Sequence, residues 1–247
     1  MVQHSDLIEQ MRAVTISREY GSGGGEVASR LAQQLNWRLV DHEIVVRVAR
    51  TLGVSEAEVE AHDEHMEGLV TRLLRGMQRV DPNLMVGAPI SPEAEQNEYQ
   101  GALADVVQAA IADGHTVIVG RGSQALLAQR RDVLHIRVIA PLTPRISYVM
   151  QREGLNQEDA RARIQLKDRD RSRYLQSAHH LQSDDPHLYD LVVNSAVLDL
   201  DSITSLIIRA LEAKAKQLTV PVERLGPVSG LARYPGRPGD IRPPIQS

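Results

Sequence analysis

The hydrophobic positions of the chain fall into short apolar runs separated by longer stretches in which apolar residues recur every three or four positions. The short runs are of the β type, and the longer stretches have helical spacing. The predicted strands are residues 12 to 17, 37 to 41, 115 to 120, 133 to 140 and 189 to 194. Strands that alternate with helices indicate an α/β fold with a five-stranded parallel sheet and right-handed crossovers.

The helical stretches have recognisable ends. Ser55 and Glu58 have the spacing of a capping box, and Gly53 and Gly114 follow the last apolar positions of two other stretches. The predicted helices are residues 26 to 35, 44 to 52, 55 to 77, 100 to 113, 143 to 153, 156 to 175 and 201 to 216. We expect one domain over 12 to 216, followed by a tail at 217 to 247 that carries six of the twelve prolines.

Ligands of parallel sheets bind at the carboxyl ends of the strands. Glycine-rich or polar residues follow the predicted strands at 18 to 25, Asp41, 120 to 123 and Asn194. The functional site is therefore expected along this edge of the sheet.

The segment SREYGSGGGE, residues 17 to 26, joins a strand to a helix. Glycines let backbone amides approach a phosphate closely, and the start of a helix adds positive potential. In the pattern G-x-x-x-x-G-K-[ST], Arg18 falls on the first glycine, Gly24 on the lysine and Gly25 on the Ser or Thr. The segment predicts a phosphate site without its lysine, and a glycine turn without a ligand is the alternative.

Composition excludes several classes of protein. The net charge of −4 and the low aromatic content do not fit an electrostatic or stacking nucleic-acid binder. There is no cysteine, which excludes disulfides and thiolate metal sites. No apolar run is long enough for a membrane span, and the first residues do not resemble a signal peptide. We expect a cytoplasmic protein with an aliphatic core.

Positive charge is concentrated at residues 145 to 173, where eight Lys and Arg residues stand against five acids. On a helix, Arg163, Lys167 and Arg171 would share one face. Guanidinium groups suit phosphate oxygens and can neutralise charge during phosphoryl transfer. We interpret residues 145 to 180 as a closing lid, and a solvated helix with internal ion pairs is the alternative.

These segments resemble the cytidylate kinase-like family, a branch of the P-loop nucleoside monophosphate kinases. The matching stretches are ISREYGSGG (16 to 24), LVDHEIV (39 to 45), VIVGRGS (117 to 123), ARIQLKDRDRSRYL (162 to 175) and DPHLYDLVVNSAVLDLDSI (185 to 203). The resemblance implies a three-layer P-loop kinase fold with an inserted helical lobe for the nucleoside monophosphate at 55 to 113 and an arginine-rich lid. It also implies transfer of phosphate from ATP, with Mg²⁺, to CMP or dCMP.

The resemblance and the charges together give a set of site residues. The predicted catalytic residues are Arg18, Arg121, Arg163, Lys167, Asp168 and Arg171. The predicted ligands of the ATP phosphates are Gly21, Ser22, Gly23, Gly24, Gly25 and Glu26. Asp41 and Arg121 are expected on the acceptor side, and Asp41 is a candidate for holding Mg²⁺ through water. Arg18, Arg121 and the lid arginines would supply the charge of the missing lysine.

Other interpretations remain open. The missing lysine also fits a degenerate P-loop protein that binds nucleotide as a regulatory or interaction module, and a kinase for another small acceptor is a third possibility. Gly122 replaces the acid of the GRD-type motif. His62 and His65 have a metal-compatible spacing but fit a polar helix face better. Residues 178 to 180 are expected in a surface loop.

Overall fold

The structure is a computed structural model that describes residues 8–41, 110–120 and 122–225, together with residues 104, 107 and 108. The predicted helices at 44 to 52 and 55 to 77 lie outside the described residues, as do Arg121, the pair His62 and His65, and the tail from residue 226 onward. Most of the predicted lobe at 55 to 113 lies outside them too. Within the described ranges, no helix is both long enough and apolar enough to span a membrane.

The sheet confirms the predicted fold class. Its five strands are all parallel and lie in the order β2-β3-β1-β4-β5. Their bounds are Ala13–Arg18 (β1), Arg38–Asp41 (β2), Thr116–Val119 (β3), Val133–Ile139 (β4) and Leu191–Asn194 (β5). The first strand of the chain is therefore the central one, with a neighbour on each side.

Helices connect the strands. Their bounds are Gly24–Leu35 (α1), Ser123–Leu126 (α2), Leu142–Glu153 (α3), Gln157–His179 (α4) and Leu200–Lys216 (α5). The described residues before β3 end in a helix at residue 113, and Gly114 follows with a φ of +76°, as the sequence predicts. The short helix α2 was not predicted.

The prediction of a surface loop at residues 178 to 180 is wrong. Helix α4 continues to His179, and His180 ends it in the left-handed conformation at a φ of +56°. The last turns of α4 contain mostly polar and small residues, so they lack the apolar spacing from which the helix was predicted. This extension carries His179 to the carboxyl edge of the sheet.

The core is aliphatic, as expected, and covers both faces of the sheet. On one face, Ile16 and Ile136 pack with residues of α1 and α5, including Leu31 and Ile207. On the other face, the core includes Ala13, Ile118, Val133, Ile111 and Leu127. A smaller cluster joins α3 to α4 and includes Tyr20 of the glycine segment. Burial on both faces explains why the central strands read as continuous apolar runs.

Strand register brings the predicted site segments together. Ile16 lies opposite Val119, and Val119 lies opposite Asp41 on the far side of β3. Because β1 continues to Arg18, the ends of three neighbouring strands meet at one edge. Asn194 ends β5, where its side-chain oxygen accepts a hydrogen bond from the Ala196 amide at 2.9 Å.

Candidate active site

The glycine segment between β1 and α1 has a backbone that only glycine adopts without strain. Gly21 and Gly23 have φ values of +79° and +77°. A Cβ at Gly21 would lie 2.9 Å from Cγ2 of Val149 and 3.1 Å from the Arg145 carbonyl oxygen. Gly23 is the N-cap of α1 and provides no side-chain acceptor for the first helical amides. These amides therefore remain available to an anion.

Ser22 stabilises the loop from inside. Its hydroxyl lies 2.9 Å from the Glu19 carbonyl oxygen and 3.1 Å from that of Val138. The Ser22 carbonyl in turn accepts a hydrogen bond of 2.7 Å from the Ser195 hydroxyl. Both polar ends of Ser22 are thus used within the protein, so the loop is tied to the strands rather than extended towards a ligand.

Arg18 occupies the space that a side chain at Gly24 would need. A Cβ on Gly24 would lie 2.6 Å from Cβ of Arg18 and 3.1 Å from its Cγ. The Arg18 side chain is 11% exposed, and its Nη2 lies 3.6 Å from Oδ1 of Asp41. A lysine at position 24 and an arginine at position 18 therefore exclude one another sterically, which explains why the loop has only one of them.

Asp41 is the buried carboxylate of this edge. It ends β2, pairs with Arg18, and its Oδ2 would lie 3.9 Å from a Cβ on Gly25. Among the described residues there is no group of three or more His, Asp or Glu side chains that could hold a metal ion. Any metal at this edge would rely on Asp41 and on oxygens of the ligand.

A pocket of about 250 Å³ lies beside the glycine segment. Its lining includes the backbone of the segment, Asp41 and three arginines, Arg18, Arg152 and Arg171. The sequence analysis identified two of these arginines but did not place Arg152 in the site. Arg152 lies at the end of α3, and only the packing of α3 against the loop brings it there.

Tyr20 connects the glycine segment to both lid helices. The guanidinium carbons of Arg152 and Arg171 lie 5.2 and 5.4 Å from the centre of its ring. Its hydroxyl donates to Oε1 of Glu153 at 2.6 Å, and burial followed by this hydrogen bond raises the pKa of Tyr20. Arg171 also donates a hydrogen bond of 3.1 Å to the Arg18 carbonyl. The predicted lid residue Arg171 is therefore in place above the loop.

Asp168, predicted as catalytic, holds the loop backbone. Its Oδ1 accepts a hydrogen bond of 2.7 Å from the Tyr20 amide, and its Oδ2 lies 2.5 Å from Nη1 of Arg145. The same Arg145 nitrogen donates to the Tyr20 carbonyl at 3.2 Å. Arg145 is buried, so this ion pair clamps both peptide groups of Tyr20. Within the structure, Asp168 acts on the loop.

Arg163, Lys167 and Glu26 are not arranged alike. Nε of Arg163 lies 3.4 Å from Oε2 of Glu153, and neither Arg163 nor Lys167 lines the pocket. The Glu26 carboxylate accepts a hydrogen bond from the Tyr148 hydroxyl, whose pKa is raised to about 12 by burial and then by Glu26. The side chain of Glu26 thus faces a lid tyrosine, and its backbone amide is the group that faces an anion.

Gly122, at the turn after β3, lies against His179. Its φ is +61°, and a Cβ there would lie 2.6 Å from Nε2 of His179. The imidazole packs edge-on against Tyr174 at 6.0 Å, and its buried Nε2 has no partner among the described residues. Burial lowers the pKa of His179, which keeps the ring neutral near pH 7. An acid at position 122 would collide with this ring.

Comparison with known proteins was made on the whole chain. The model of the cytidylate kinase-like family matches residues 13–197. A cytidylate kinase of Archaeoglobus fulgidus is 23% identical over 202 residues, which are 81% of this chain and 95% of that protein. A uronate isomerase of Corynebacterium glutamicum is 30% identical over 105 residues, 42% of this chain. The chain spans only a fifth of that isomerase, 20% of its length.

A solved structure supports the fold. A protein of Eubacterium ventriosum ATCC 27560, described as uncharacterized, superposes with a TM-score of 0.57 at 19% identity. The superposition covers 82% of this chain and 99% of that one. The family model spans the glycine segment, the sheet and the lid helices described above. The chain therefore belongs to the cytidylate kinase-like family.

Proposed function

We propose that this protein is an ATP-dependent kinase that transfers a phosphoryl group to a nucleoside monophosphate, with CMP or dCMP as the first candidate acceptor. Family membership supports a nucleotide kinase, and the choice of cytidine nucleotides rests on the family alone. The observation that carries the proposal is the contact between Arg18 and Gly24, which puts a cation beside the glycine loop where the lysine is missing.

In this proposal the donor phosphates lie on the amides at the start of α1. The amides of Gly24, Gly25 and Glu26 belong to the first turn of a helix and have no side-chain cap. The helix dipole adds partial positive charge at the same point. The loop holds this geometry without ligand because Ser22 and Asp168 fix its backbone. Preorganised donors of this kind need no rearrangement when phosphate binds.

The guanidinium groups around the pocket supply the remaining charge. Arg18 lies under the loop, and Arg152 and Arg171 flank Tyr20 on the lid side. Phosphoryl transfer requires positioning and charge stabilisation more than proton transfer, so three arginines and the loop amides are a sufficient set of groups. Asp41 is the carboxylate that would orient the water shell of Mg²⁺, and the ion would neutralise phosphate charge.

Turnover tests the proposal directly. With ATP, Mg²⁺ and a panel of nucleoside monophosphates, the protein should release ADP only when an acceptor is present, and CMP or dCMP should give the highest kcat/KM. The measurement is a coupled ADP-release assay on the full-length protein. If ATP raises the unfolding temperature while no acceptor gives turnover, the protein is a nucleotide-binding module, and activity with another small acceptor would instead redirect the specificity.

Substitutions at positions 18 and 24 test the exchange of one cation for another. Arg18→Ala should lower kcat/KM by about 100-fold or more, because one cation beside the transferred phosphate is lost. Gly24→Lys alone should destabilise the fold by about 1–3 kcal/mol, because its Cβ collides with Arg18. The double variant Arg18→Gly with Gly24→Lys should recover stability and part of the turnover.

The control for this pair is Arg209→Ala, which removes an exposed arginine paired with Glu212 far from the pocket. It should match the wild type in kcat/KM. A double variant that is no more active than Arg18→Ala would contradict the proposed role of Arg18.

Arg171→Ala tests the lid. Turnover should fall by about 100-fold, while the free energy of unfolding should fall by no more than about 2 kcal/mol, since one hydrogen bond and one cation–π contact are lost. Steady-state kinetics and urea denaturation measure the two effects. Arg173→Ala, an exposed position on the same helix, is the matched control. A loss of stability as large as the loss of activity would mark Arg171 as structural.

Asp41→Asn tests the metal. The Mg²⁺ concentration for half-maximal turnover should rise by about tenfold or more, because the amide cannot orient metal-bound water as a carboxylate does. A Mg²⁺ titration of the initial rate measures this shift. Asp113→Asn, which breaks an exposed pair with Arg38, is the control. An unchanged Mg²⁺ dependence in Asp41→Asn would remove Asp41 from the metal site.

A further inference from the structure

The face of the sheet opposite α1 and α5 carries a polar ladder on its two central strands. Val14, Ile16, Leu134 and Ile136 face the helices α1 and α5 in the main core cluster. Because side chains alternate along a strand, the residues between them point to the other face. That face presents Thr15 and Ser17 on β1 beside His135 and Arg137 on β4. Such a ladder is unusual at the centre of a buried sheet.

Arg137 is the charged member of the ladder and is only 9% exposed. Its Nη1 donates hydrogen bonds to the Ser17 hydroxyl at 3.1 Å and to the Tyr189 hydroxyl at 3.3 Å. The guanidinium carbon also lies 5.5 Å from the centre of the Tyr189 ring. Its Nε and Nη2 make no hydrogen bond among the residues that the structure describes. A guanidinium group has five N–H donors, and these contacts satisfy only part of them.

The described carboxylates closest along the chain to Arg137 and its partners are engaged with other groups. Oε2 of Glu19 accepts a hydrogen bond from the Ala140 amide at 2.9 Å. Oδ2 of Asp190 accepts from the His135 amide at 2.8 Å and from Nζ of Lys214 at 2.6 Å. In the described part of the chain, no acid lies within ion-pair distance of Arg137. The only polar groups on this cation are neutral hydroxyls.

A buried cation without an anion is energetically unfavourable, and proteins pair such charges or give them a ligand. Neutral hydroxyls and one aromatic ring compensate a guanidinium less well than an oxyanion does. The free edge of Arg137, formed by Nε and Nη2, has the fork geometry that binds two oxygens of a phosphate. Ser17 and Tyr189 are half-buried, so the site is open on the side of the hydroxyls.

We infer that Arg137, Ser17 and Tyr189 form a subsite for an oxyanion of the phosphate class, on the sheet face away from α1. None of the three lines the pocket of the glycine loop, so this subsite is distinct from the donor site. Ser17 immediately precedes Arg18, which places the subsite next to that pocket. The inference concerns binding alone and does not require phosphoryl transfer to occur. The anion is either the phosphate of a bound nucleotide or free inorganic phosphate.

The test is a calorimetric titration of the full-length protein with inorganic phosphate. Arg137→Met, which keeps the volume and removes the charge, should weaken phosphate binding by about 10-fold to 100-fold. Arg209→Met, at an exposed arginine, should leave it unchanged. Equal binding by the wild type and Arg137→Met would overturn the inference, and so would a wild type that binds no phosphate.

Stability separates a ligand site from a structural arginine. Without phosphate, Arg137→Met should unfold at or above the temperature of the wild type, because an uncompensated buried charge has been removed. Should Arg137→Met fail to fold, Arg137→Lys keeps the charge without the fork and should bind phosphate about tenfold more weakly. A lysine variant that binds phosphate as tightly as the wild type would overturn the subsite.

Competition identifies the source of the anion. If CMP displaces phosphate from the wild type but has no effect on the weak residual binding in Arg137→Met, the subsite holds the phosphate of the nucleotide. If CMP and phosphate bind together, the subsite holds free phosphate, and the inference stands in that form. Because kinase turnover is not measured here, a protein without kinase activity still gives a clear result.

Discussion

The steric contact between the Arg18 side chain and the Gly24 backbone decides the character of this site. There is room for one of two cations beside the first turn of α1, and the chain fills it from the end of β1. The cation is then fixed by a strand and paired with Asp41, whereas a lysine on the helix would be a flexible point charge. The glycine run, the position of Asp41 and the packing of α1 all follow from accommodating this arginine.

The lid helices contribute to the same constraint from above. Arg145 and Asp168 hold the peptide groups on both sides of Tyr20, and the Tyr20 ring lies between Arg152 and Arg171. The loop therefore cannot move without disturbing α3 and α4. In most surface loops a glycine-rich sequence increases mobility. Here the glycines permit close contact, and the contacts come from a buried ion pair and a stacked ring.

Much of the fold was predictable because it depends on local periodicity. All five strands and most described helices lie where apolar spacing places them, and the parallel-sheet rule correctly brings Arg18 and Asp41 to one edge. The end of α4 was missed because its polar last turns have no apolar period. The roles of Arg152 and Arg145 depend on how α3 packs against the loop, and sequence spacing contains no information about that. The residues of the predicted lobe stay a prediction.

The contact of His179 with Gly122 has a consequence for how such sites diverge. An acid cannot return to position 122 while the imidazole fills its volume, and a smaller residue at 179 would first leave an unfilled space. Each single step is thus disfavoured although the two-step exchange is not, which makes the substitution history directional. Neighbouring lineages that took different first steps would be separated by a barrier in sequence space, even where their chemistry is the same.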